Sequence, residues 1–156
     1  MTTSQRLADL GIDLPPVATP AGSYVPALKT GRFIYTSGQL PYVNGQLPAT
    51  GRLGTPSGPT IEVAQQCARN CALNALAAAA AAAGGIDNIE RVVKLTVFVA
   101  SGRKFTAQPQ VANGASDTLI EIFGDLGRHA RSAIGMAALP NNAPVEVEMI
   151  VQVAGD

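Results

Sequence analysis

Seven consecutive alanines, Ala77 to Ala83, end at Gly84-Gly85 and constrain the fold more than any other stretch of the chain. Alanine has the highest helix propensity but almost no side-chain volume. Upstream, Ile61, Ala64, Ala68, Cys71, Ala75 and Ala79 recur at helical spacing. Pro59 suits the first turn, Glu62 complements the positive end of the helix dipole, and the two glycines supply the stop. The pattern predicts a helix whose inner face is shallow enough to lie very close to a sheet. Its apolar run is too short to span a bilayer.

The rest of the chain supplies that sheet. Residues 3–10 predict a short helix capped by Thr3 or Ser4, with Leu7 and Leu10 inward and Gly11 as its stop. Residues 24–28 and 33–37 read as strands around a turn at Lys29-Thr30-Gly31-Arg32. Asn44-Gly45 is a turn signal, and residues 48–60 read as a surface loop. In the strand Arg91 to Ala100, Val93, Leu95, Val97 and Val99 share one face; Val92, Lys94, Thr96 and Phe98 share the other. Residues 110–123 predict a second large helix, with Val111, Ala115, Leu119, Ile122 and Phe123 inward. Two strands follow, from about Ala130 and from Val145 to Val153.

This order predicts one α+β domain over residues 1–156, with residues 1–16 as an N-terminal extension and two helices on one face of a mixed sheet. In the last strand Val145, Val147, Met149, Val151 and Val153 alternate with Glu146, Glu148, Ile150 and Gln152. No third large helix is available to cover the second, semi-polar sheet face. That open face predicts self-association into a closed ring.

Composition narrows the function. Lys+Arg and Asp+Glu are both 11, and aromatics make up only 4%. A balanced charge speaks against gripping nucleic acid or an anionic membrane. The N-terminal residues lack the basic start and apolar stretch of a secretory signal, so a cytoplasmic location is expected. Cys67 and Cys71 lie on one helix face without further nearby ligands, and read as small buried hydrophobes. No metal site is expected.

The chemistry concentrates near the C-terminus. Arg131 opens an otherwise apolar strand, and a guanidinium fits a carboxylate with two parallel hydrogen bonds. It reads either as an anchor for a small carboxylic acid or as half of a salt bridge to Glu146 or Glu148. Those two glutamates share a strand face, where they raise each other's pKa or simply face solvent. A plain hairpin between the last two strands would set Arg131 opposite residue 151, far from Glu146. The two residues meet only if the strands are not simple neighbours or if they belong to different subunits. His129, the only histidine, is a possible base with no nucleophile arranged around it in sequence.

Four blocks, taken together, resemble the RidA/YjgF/UK114 family. They are Ala130-Arg131-Ser132 with Leu139-Pro140 and Val145-Glu146-Val147-Glu148; residues 36–41, Thr-Ser-Gly-Gln-Leu-Pro; residues 93–99; and Gly22-Ser23-Tyr24-Val25. The resemblance implies a chorismate-mutase-like fold, a homotrimer with clefts between subunits, and hydrolysis of 2-imino and enamine acids to 2-oxo acids and ammonia without cofactor or metal. By carry-over, Arg131 would bind the substrate carboxylate and Glu146 would activate water. Tyr24 would close the cleft, and the backbone near Ser37, Gly38 and Ala133 would border the substrate. Many members carry Cys where this chain has Ala133. The family's asparagine in the second helix corresponds to Asn113 or Ser116. Two other functions remain open: non-catalytic binding of small carboxylates such as 2-oxo acids, and a ribonuclease activity that the neutral charge disfavours.

Overall fold

The computed structural model describes residues 1–155. Its elements run α1 (Thr3–Leu10), β1 (Ala27–Thr30), β2 (Phe33–Thr36), α2 (Ile61–Ala83), β3 (Ile89–Ala100), α3 (Gln108–Phe123), β4 (Ala130–Met136) and β5 (Val145–Val153). The strands form one mixed sheet in the order β1-β2-β5-β3-β4. Only β3 and β4 run parallel, as expected for strands joined through a helix. The last two strands are not neighbours, because β3 lies between them.

The alanine-rich helix behaves as its composition requires. Ala64, Ala68, Cys71, Ala75 and Ala79 are fully buried, and α2 packs on β5 and α3. Its N-cap is Thr60, whose hydroxyl accepts from the Val63 N–H, so Pro59 falls just outside the helix. Gly84 closes the helix at φ 78°, a left-handed conformation that glycine adopts without strain. The cap of α1, by contrast, lies one residue earlier than expected, at Thr2, where Gln5 completes a capping box.

Three strand details differ from expectation. β1 begins at Ala27, because Pro26 has no N–H for a ladder and the Tyr24 N–H turns back onto the Gly22 carbonyl at 3.0 Å. Lys29 and Thr30 stay paired with Ile34 and Phe33, which shrinks the turn to Gly31-Arg32. In β3 a bulge between Val92 and Lys94 breaks the two-residue alternation, so Val92 is buried and Val93 is only partly so. The loop at 48–60 is also anchored: Leu53 is buried and exchanges hydrogen bonds with Ala100 and Gly102 at 2.8 Å each.

Val145, Val147, Met149, Val151 and Val153 are buried beneath the helices. α1 joins the same core through Leu7. Glu146, Glu148, Ile150 and Gln152 occupy the opposite, half-open face. Cys67 and Cys71 are free and buried, and burial pushes the Cys67 thiol up to about 11.

Candidate functional site

The candidate residues divide into two groups on opposite faces of the sheet. Arg131 is paired with Leu95, which is buried on the helix side, whereas Glu146 is paired with Phe98 on the open side. Glu146 therefore lies three residues further along β3 and two strands across from Arg131. That offset is about 10 Å in each direction. Neither residue belongs to any of the three ion pairs among the described residues, so the salt bridge considered for Arg131 does not form within the chain.

The Arg131 group is built against α3. One guanidinium nitrogen, Nη1, donates to Asn113 Oδ1 at 2.8 Å and to Ser116 Oγ at 3.2 Å, while Nη2 donates to the Pro109 carbonyl at 3.4 Å. Asn113 and Ser116 stand three apart on one helix face, so both reach the same nitrogen. Three of the five N–H groups are thus committed. The Nε–H and one Nη2–H remain, enough for a bidentate carboxylate. Ser116 also meets His129 Nε2 at 2.9 Å, and His129 Nδ1 lies 2.6 Å from the Gly127 carbonyl. Ala133 follows on the same face of β4, partly buried against the core.

The Glu146 group lines a cavity of about 410 Å³ with Tyr24, Gly38, Gln39, Tyr42 and Asn141. Gln39 exchanges backbone hydrogen bonds with Val147 at 2.8 and 3.0 Å, which sets Gly38 directly beside Glu146. A Cβ at position 38 would overlap the Glu146 carboxyl group, so any side chain there would displace that carboxyl from its present position. Ser37 spends its hydroxyl on the Val25 carbonyl at 2.6 Å, fastening the segment that carries Tyr24 over the cavity. Burial first, and the Glu148 charge second, push the Glu146 carboxyl above its ordinary range.

The sequence reading did not single out Tyr42 and Asn141. Asn141 donates to the Tyr42 hydroxyl at 2.7 Å and has φ 57°. The Pro140-Asn141-Asn142 turn signal was the available hint. Among the described residues, no three of His, Cys, Asp and Glu stand close enough to hold a metal ion. No described helix is long and apolar enough to cross a membrane.

Comparison with known proteins bears on the fold and the family. The profile described as "YjgF/chorismate_mutase-like, putative endoribonuclease" matches residues 4–153. Protein TCP17 of Trypanosoma cruzi is 46% identical over 94% of this chain and 91% of its own length. A protein of Dermatophagoides farinae named 2-iminobutanoate/2-iminopropanoate deaminase is 33% identical over 90% and 93%. A crystal structure of a protein of unknown function from Agrobacterium tumefaciens superposes with a TM-score of 0.86, at 42% identity over 97% of this chain and 92% of that one. With the profile spanning nearly every residue and the sheet order matching the fold implied by its motifs, the chain belongs to the YjgF/chorismate mutase-like family.

Proposed function

We propose that this protein hydrolyses reactive 2-imino and enamine acids to 2-oxo acids and ammonia, in clefts completed between the subunits of a homotrimer. One observation carries the reading. A guanidinium with N–H groups to spare lies on one sheet face, and a half-buried carboxyl with a raised pKa lies on the other. These are complementary parts for a carboxylated imine, and a single chain holds them apart. The deaminase name of the Dermatophagoides relative supports the same chemistry.

In this scheme Arg131 takes the substrate carboxylate through two parallel N–H bonds. Glu146 accepts a proton from water as the water oxygen bonds to the iminium carbon, giving a carbinolamine. Glu146 then returns the proton to nitrogen. The C–N bond breaks, ammonia leaves, and the hydroxyl becomes the carbonyl as its proton passes to the departing ammonia. An enamine enters the same route once a proton moves to its β-carbon. Tyr24 covers the cleft, and the backbone at Ser37, Gly38 and Ala133 borders the substrate. No cofactor or metal enters the scheme. A cytoplasmic location is part of the proposal, and two buried free thiols suit a reducing compartment.

Imines made in situ by an amino-acid oxidase test this directly. Ammonia release should accelerate with the protein present, and Arg131→Ala should lower kcat/KM about a hundredfold. Equal rates for parent and Arg131→Ala would sink the proposal. Tight 2-oxo acid binding by a parent without turnover would instead favour a carboxylate-binding protein, which needs the Arg131 anchor but not Glu146.

A further inference from the structure

His129, Ser116 and Arg131 form a hydrogen-bonded chain whose direction is fixed by chemistry. A carbonyl only accepts, so the 2.6 Å contact to Gly127 places a proton on His129 Nδ1. Gly127 itself is wedged against α3: a Cβ there would lie 2.8 Å from the Leu119 carbonyl carbon and 2.9 Å from Ile120 Cα. The anchoring carbonyl is therefore held firmly. A neutral imidazole then presents a bare Nε2 toward Ser116, and the serine hydroxyl donates to it at 2.9 Å. With its only proton spent there, the Ser116 oxygen turns its lone pairs to Arg131 Nη1 at 3.2 Å. Burial, the largest cause, holds the His129 pKa below its ordinary value; the Gly127 contact opposes it, the nearby Arg131 charge adds a smaller push in the same direction as burial, and the net shift favours the neutral ring.

A serine beside a histidine invites comparison with a nucleophile and its base. This serine is only 7% exposed, and its oxygen already accepts from a guanidinium. Both facts make it a poor nucleophile. They suit it well to hold a side chain in place.

We infer that His129 acts through Ser116 as a positioning residue, fixing the Arg131 guanidinium so that its uncommitted N–H groups face a substrate carboxylate. The inference rests on the anchor role proposed above for Arg131. It adds that the anchor's orientation is set from outside the cleft, by a ring that never touches substrate. Asn113 fixes the same nitrogen by a separate bond, so loss of the relay should weaken carboxylate binding without abolishing it.

The chain has a single histidine, so nitrogen NMR of histidine-labelled protein reports this ring alone. At neutral pH the expected spectrum has Nδ1 protonated and Nε2 bare, and Ser116→Ala should shift the Nε2 signal more than the Nδ1 signal. A ring protonated on Nε2 would overturn the inference. In binding assays with pyruvate, His129→Phe should raise Kd about fivefold. In turnover assays it should raise KM similarly and leave kcat within about twofold, as expected for an effect on binding alone. His129→Gln, which keeps an acceptor at similar reach, should recover most of the loss. Parent-like pyruvate affinity in His129→Phe would also overturn the inference. Parent-like affinity in Arg131→Ala would overturn the anchor itself, so the two failures are distinguishable.

Discussion

Glu146 owes its chemistry to its surroundings. A carboxylate must be unprotonated to take a proton from water, and burial together with Glu148 raises the pH at which that form appears. In the proposed reaction kcat/KM therefore rises with pH through the raised Glu146 pKa, giving an acid limb above that of an ordinary carboxylate. Glu148→Gln removes the smaller of the two causes, so the limb should move to lower pH while burial keeps it above the ordinary value. A pH–rate profile checks this, and an unmoved limb would show that Glu148 contributes nothing. Gly38 leaves the same carboxyl its present position, since a Cβ there would push the Glu146 side chain aside.

At the scale of elements, the contact between α2 and α3 shows how small residues let helices approach. A Cβ on Gly114 would overlap the backbone carbonyl of Gln65 and come within 2.8 Å of its Cα. Helix propensity alone would favour alanine there by about 1 kcal/mol. The packing clash should win, because a backbone carbonyl cannot rotate away as a side chain can. Gly114→Ala should lower Tm by roughly 3 °C or more in a thermal melt. A raised midpoint would show that the helices separate at little cost. Because α3 also carries Asn113 and Ser116, the same variant should loosen the grip on Arg131.

The same scale shows what was legible in the sequence. The helices could be read because alanine runs, caps and glycine stops are local signals. The alternation of β5 revealed its buried face for the same reason. The bulge that exchanges Val92 for Val93 could not be read, because it depends on how β3 pairs with β5. Arg131 and Glu146 stood out as charges in apolar strands, and hairpin arithmetic already forbade their meeting as neighbours. The link from His129 to Ser116 was invisible, because it needs α3 and the start of β4 folded side by side. Asn113 and Ser116 entered as alternatives, and the structure uses both.

For the whole molecule, the proposed trimer makes a prediction of its own. If each site takes Arg131 from one subunit and Glu146 from its neighbour, Arg131→Ala and Glu146→Gln proteins are each inactive for different reasons. Unfolding and refolding the two together would shuffle subunits. About a quarter of the sites would then carry both native residues by random assortment. Activity returning to that order, from two inactive parents, is the expected result. No recovery, with native mass spectrometry showing mixed trimers, would place both residues in the same subunit.

The placement of Arg131 and Glu146 on opposite sheet faces also restricts which symmetries can build such a site. A two-fold axis joins a surface patch to its own copy, and residues on opposite faces cannot both belong to one such patch. A contact pairing one with the other is head-to-tail: every added subunit presents a fresh unused face. Such an assembly either grows without limit or bends round to meet its own beginning. In the proposed trimer, the rotation from one subunit to the next therefore decides as much as the shape of the cleft, because only a rotation that closes keeps the particle finite and stops it from growing into a fibre.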